Sequence, residues 1–181
     1  MPAPGVTLPF PRQAPDQVAP SSVINDMMTE LEWLDGFVSV ELGAVVTRSS
    51  AQSIPTAVQT FTNFTTVEYD PWGMVNLSAD SRVVTIGGDG IYAVFAYGQF
   101  AQNATGARII AVDNNLTQYG SVGCTMEVPV QPSGAFTTLA ASGTGLLAGG
   151  TRVSLVAYQD SGGALNFSSA RLAIFRIALN H

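Results

Sequence analysis

The most extended strand-like pattern in the chain, Ile91 to Ala101, is apolar on both of its alternating faces. Ile91, Ala93, Phe95 and Tyr97 fall on one side; Tyr92, Val94, Ala96 and Phe100 fall on the other. A half-solvated antiparallel strand alternates apolar with polar residues, so this one needs cover on both sides. A second sheet of the same domain supplies one cover. A second copy of the chain is the simplest source of the other. Tyr92, Val94, Phe95, Tyr97 and Phe100, with Tyr158 and Phe175 further on, are the candidates for an interface between copies.

Short strand patterns recur from Gly43 onward: Ala44–Ser49, Thr60–Tyr69, Arg82–Ile86, Gly90–Ala101, Ala107–Asp113, Ser121–Val128, Phe136–Ala141, Thr151–Tyr158 and Arg171–Leu179. Turn-forming residues separate them at Asp70-Pro71-Trp72-Gly73, Gly87-Gly88-Asp89-Gly90, Asn103-Ala104-Thr105-Gly106, Pro132-Ser133-Gly134 and Asp160-Ser161-Gly162-Gly163. Eight or nine strands at this spacing, with no helical pattern between them, predict an all-β antiparallel sandwich or barrel. No internal repeat is present.

The first 42 residues read differently. Residues 1–20 contain Pro2, Pro4, Pro9, Pro11, Pro15 and Pro20, which fix φ and remove backbone donors, so an extended arm is expected. Val6, Leu8, Phe10 and Val18 give that arm apolar teeth suited to a groove on a partner, whereas a loose linker seldom carries such side chains. Residues 21–42 hold a predicted helix from Ser22 to Asp35, capped by serine and stopped by Gly36. Ile24, Met27 or Met28, Leu31 and Leu34 share one face of it. Such a short helix must pack on something to persist in water. Trp33 reads as part of that packing. Residues 43–181 form the β domain.

Composition sharpens the picture. Charged residues make up 11% of the chain, against roughly a quarter in an ordinary soluble domain. Mean hydropathy is positive at +0.26, yet no apolar run approaches the roughly 18 residues of a membrane span. A chain this poor in charge is expected to hide surface in an assembly. All seven cationic residues are arginine and the formal charge is −6, which excludes a basic nucleic-acid or anionic-membrane footprint. The residues before Pro20 lack a basic start and a continuous apolar core, so they do not read as a signal peptide.

From Asp89-Gly90-Ile91-Tyr92-Ala93-Val94 onward the chain resembles a known family, the jelly-roll domain of complement component 1q and tumour necrosis factor. It is most similar to the form carried by bacteriophage structural proteins. Phe61, Phe64, Val67-Glu68-Tyr69-Asp70 and Trp72-Gly73-Met74 carry the resemblance before the first long turn. Asn103 to Arg108, Leu147-Ala148-Gly149 with Val153 to Val156, and Leu172 to Ile177 carry it afterwards. It covers roughly residues 43–180, and its motifs are specific by their order and spacing. Gly150-Thr151 stands where the family usually has aspartate, which removes any role tied to that carboxylate. The resemblance implies a compact homotrimer with apolar strand faces around its axis.

Catalytic and metal chemistry find little support. The one histidine is His181, the last residue, and Cys124 is the one cysteine, so it reads as a small buried filler. Neither a spaced His/Cys metal set nor a phosphate-cradling glycine loop before a helix is present. Asp113-Asn114-Asn115 and Asp160-Ser161 offer oxygen atoms of the kind calcium takes, but read first as turns. Glu68 and Asp70 are spaced to share a strand face, with nothing to complete a glycosidase pair. Five Asn-x-Ser/Thr triplets begin at Asn63, Asn76, Asn103, Asn115 and Asn166, and read as a Ser/Thr/Asn-rich surface.

The expectation is a non-enzymatic virion protein without cofactor or metal. It would be made in the host cytoplasm, trimerise with itself and attach through its arm to capsid or tail proteins, most simply as a capsid decoration protein. The alternative is a tail or fibre-tip adhesin, a minor tail protein. There Trp72 and Tyr119 would stack on a host glycan or meet a host protein. A cellular ligand of the tumour-necrosis-factor type is the least favoured reading.

Overall fold

The computed structural model describes residues 42–117, 125–128 and 136–179, with 125–128 described by backbone alone. All belong to the second of two units into which the chain divides, Ser39–His181. The predicted arm and helix, Trp33, Tyr119, Cys124, the turn at Pro132-Ser133-Gly134 and His181 lie outside the described residues.

Eleven strands occur among the described residues. They are β1 (Gly43–Arg48), β2 (Gln52–Ile54), β3 (Thr60–Phe61), β4 (Thr66–Tyr69), β5 (Val83–Thr85), β6 (Gly90–Phe100), β7 (Arg108–Asn114), β8 (Thr125–Val128), β9 (Thr137–Leu147), β10 (Arg152–Gln159) and β11 (Leu165–Ala178). One sheet has the order β4-β1-β11-β6-β9, with β2 also paired to β11; the other has β3-β10-β7-β8, with β5 also paired to β10. Every pairing is antiparallel. From β2 onward the chain changes sheet at every connection except that between β7 and β8. The result is the expected all-β jelly roll.

Three elements depart from the expected strands, each for a local reason. Thr60–Tyr69 is not one strand. The Thr62 N–H donates to the Leu155 carbonyl at 2.8 Å, whereas the Thr65 N–H donates to the Thr47 carbonyl at 2.9 Å. Between those bonds the chain passes from one sheet to the other, with Phe64 buried at the crossing. β9 continues six residues beyond Ala141, because Gly143 and Gly145 pair in register with Val94 and Tyr92 instead of ending the strand. β11 begins at Leu165, ahead of a bulge between Phe167 and Ser169 that interrupts its alternation.

The core lies between the sheets. Val94 and Phe100 of β6, Leu172 and Ile174 of β11 and Leu139 of β9 meet Ile110 and Val112 of β7 and Leu155 of β10. The Phe100 and Phe167 ring centroids are 4.7 Å apart. Burying each ring stabilises the fold by roughly 2–3 kcal/mol. A Cβ at Gly98 would lie 2.2 Å from Phe167 Cζ, so this position must be glycine for the ring to occupy its place.

Candidate functional site

Strand periodicity sends one set of side chains from β1, β11, β6 and β9 into the core and the other set outward. The pairing register assembles the outward set into rows. One row reads Tyr69, Val45, Ala173, Phe95, Ser142; the next reads Thr66, Thr47, Arg171, Tyr97, Ala140. A third reads Gly43, Phe175, Ala93, Thr144, and Ile91 stands opposite Leu146 beyond it. Phe95 and Tyr97 flank a shallow hollow whose remaining walls come from Ala140, Ser142, Ala173 and Arg171. Phe95 is 52% exposed, and Ile91, Leu146, Ile177 and Tyr69 are exposed as well. This face is apolar, built on a rigid sheet, and open. Its charged border is the Arg171–Glu68 pair at 3.1 Å.

The interface candidates divide among three places. Phe95, Tyr97 and Phe175 belong to this outward face, where Tyr69 and Phe175 have ring centroids 6.3 Å apart. Tyr92, Val94 and Phe100 do not: all three are completely buried between the sheets. Their face of β6 is closed by β7 and β10 of the same chain, so they are corrected to core residues. Tyr158 stands apart from both groups. It alternates with the inward Leu155 and Ala157 on β10, which puts it on the far side of the sandwich from Phe95. Sequence reading placed Ile91 on this face but missed Leu146 and Ile177, although the alternation Ala140, Ser142, Thr144, Leu146 carried a signal for the third edge of the face.

The buried phenol of Tyr92 donates to the Gly88 carbonyl at 2.7 Å. Burial pushes its pKa up, opposed by the nearby Arg176 cation. That bond, together with Gly149 N–H donating to Asp89 Oδ1 at 2.7 Å, makes Gly87 to Gly90 a structural turn.

The two ends of the sandwich differ. At the end remote from Leu42, Arg108 is 2% exposed and its guanidinium donates to the carbonyls of Thr105 and Gly106 at 2.8 Å, Ala107 at 3.0 Å and Asn103 at 3.2 Å. Burial pushes the Arg108 pKa down, and the charge of Asp160 partly restores it. The Asp160 carboxylate accepts the Ala107 N–H, and Gly106 has φ +74° against it, leaving no room for a side chain. Gln159, fully buried, ties the carbonyls of Ile54 and Gly163 to Ser161. At the other end the Trp72 loop is exposed and Leu42 enters.

The carboxylates singled out in the sequence are each occupied separately. Glu68 pairs with Arg171, while Asp70 accepts the Met74 and Val75 N–H groups at 2.7 and 2.8 Å. Asp113 accepts the N–H and hydroxyl of Thr117, as a turn residue does. Asp80 is gripped by Arg82 at 2.9 Å and by Arg152, and the Arg82 hydrogen bond above all lowers its pKa to about 2. Among the described residues, no three His, Cys, Asp or Glu side chains gather where a metal ion can be held. No described helix is long and apolar enough to cross a membrane.

No protein-family model and no curated protein sequence matches the chain. Solved structures do. Eiger TNF from S. frugiperda superposes with a TM-score of 0.52 at 10% identity, covering 77% of this chain and 94% of that one. Murine APRIL superposes with a TM-score of 0.50 at 13% identity, covering 75% and 99%. The globular domain of zebrafish complement 1qA gives a TM-score of 0.48 at 14% identity, covering 76% and 98%. At these identities the likeness of the first two establishes the fold alone, a jelly roll.

Proposed function

We propose that this chain is a non-enzymatic structural protein that trimerises through the outward face of its six-stranded sheet and is fixed to a bacteriophage particle by residues 1–42. The observation that carries the reading is the open face around Phe95 and Tyr97, an apolar surface on a chain otherwise poor in charge. Burying such a face between copies removes apolar area from water, while Arg171 at the wall of the hollow keeps Glu68 as its partner. The resemblance of Asn103 to Arg108 to the phage forms supports the virion setting, and the apolar teeth of the arm support anchoring. As a decoration protein it would add interface area across the shell. Deleting residues 1–20 then abolishes incorporation into particles and leaves the oligomer folded, as read by particle sedimentation and analytical ultracentrifugation. Normal incorporation sinks the anchoring role. Antibody-labelled electron microscopy separates shell from tail: label spread over the shell supports decoration.

A second reading, the tail or fibre-tip adhesin, is favoured by the rigid end of the sandwich, where Arg108, Asp160 and Gln159 lock neighbouring loops together. Loops held on a stiff scaffold suit recognition of a host glycan or protein. Label confined to the tail tip supports this reading instead.

A further inference from the structure

Trp72 is 56% exposed, yet its loop is firmly held. Both oxygens of Asp70 accept backbone N–H groups beyond the indole, the Met74 carbonyl accepts the Thr85 N–H at 2.7 Å, and the Met74 side chain is buried. An exposed indole on a preorganised loop loses little conformational freedom on binding, and truncating one commonly costs a large share of an interface's energy.

Its position in the fold restricts what it can meet. β4 runs antiparallel to β1 with Tyr69 opposite Val45, so the chain leaves β4 at the end of the sandwich where β1 begins. Leu42 is buried at that end. A Cβ at Gly87 would lie 3.4 Å from Leu42 Cδ2 and 3.8 Å from Met74 Cγ, which puts the base of the Trp72 loop beside the residue where the first 41 join the domain. The exposed Ile91, Leu146, Ile177 and Leu179 rim the same end. The opposite end carries the hydrogen-bonded loops around Arg108 and Gln159.

We propose that Trp72 is a docking residue facing the particle: it seats in an apolar depression on the same particle protein that holds the N-terminal arm. This rests on the virion reading above and adds to it a contact made by the folded domain. The covalent connection argues for that occupant. Once the arm is bound, the chain that ends at Leu42 tethers its protein to the domain, and a contact close to that attachment point forms at the high effective concentration of a tethered pair.

The test combines hydroxyl-radical footprinting of Trp72, in free protein and on purified particles, with retention of Trp72→Ala on those particles. Expected are a several-fold loss of Trp72 oxidation on the particle and roughly ten- to thirty-fold faster release of the variant. The oligomer and its circular dichroism stay unchanged. Equal oxidation in both states, or unchanged retention, overturns the proposal. Protection already present in the free protein overturns it in favour of a contact between copies. Protection gained only on adding host cells overturns it in favour of a receptor or glycan. Wild-type protein absent from particles removes the virion reading and this inference together, whereas wild-type retention that Trp72→Ala leaves untouched removes the inference alone.

Discussion

The two faces of β6 are alike in composition and opposite in fate. Tyr92, Val94 and Phe100 point at the second sheet and are sealed by it; Ile91, Phe95 and Tyr97 point away and stay at least partly exposed. Hydrophobic pattern alone requires both faces to be covered. It does not say which cover comes from the same chain, because that depends on strands far away in sequence. The contrast separates residues that hold the domain together from residues that join domains.

The largest effect expected from breaking the contrast is at the inner face. Phe100→Ala removes a ring packed against Phe167 and costs about 3–5 kcal/mol of stability, read as a lowered denaturation midpoint. Phe95→Ala, five residues earlier, leaves the unfolding of the dissociated monomer within about 0.5 kcal/mol and weakens self-association, read by sedimentation equilibrium. If both substitutions lower monomer stability alike, the outward face is not an interface.

Arg108 tests whether an inward-held polar group behaves like the inner face. Arg108→Met fills similar volume but strips four carbonyls of their donors, so a loss of about 2–3 kcal/mol is expected in chemical denaturation. The oligomer should be unaffected. A neutral result means that water replaces the guanidinium at those carbonyls.

The smallest effect belongs to Asp80, a surface group satisfied within its own chain. Its folded pKa, about 2, lies below its ordinary value of 3.8, so the stabilisation is fully present above about pH 4 and fades as pH falls through 2. With Arg82 and Arg152 more than 40% exposed, screening leaves about 1 kcal/mol. The stability gap between wild type and Asp80→Asn should therefore be open at pH 6, narrow as pH falls toward 2 and close below it; a gap independent of pH removes the carboxylate as its source.

Much of the fold was legible from residues 43–181. Strand alternation and turn residues located most of the strands, and the glycines before Ile91 marked a true turn. The division of Thr60–Tyr69 was not legible, since only the carbonyls of Leu155 and Thr47 decide where Thr62 and Thr65 pair. β2 escaped notice because three residues, Gln52 to Ile54, carry too short a pattern to register. Of the proposed face, Phe95, Tyr97 and Phe175 were read directly, while Leu146 and Ile177 lay beyond the expected end of one strand and next to a bulge in another.

By itself the sequence determined that this chain builds an antiparallel all-β domain whose central strand must be covered twice. Period-two alternation and turn chemistry are local properties, written within a few residues. Only the tertiary structure decided that Tyr92, Val94 and Phe100 close the core, that Phe95 remains open, and that Trp72 stands at the end where Leu42 enters. Those assignments depend on which distant strands pair and on which side the second sheet lies, and strand pairing joins residues that the chain keeps far apart.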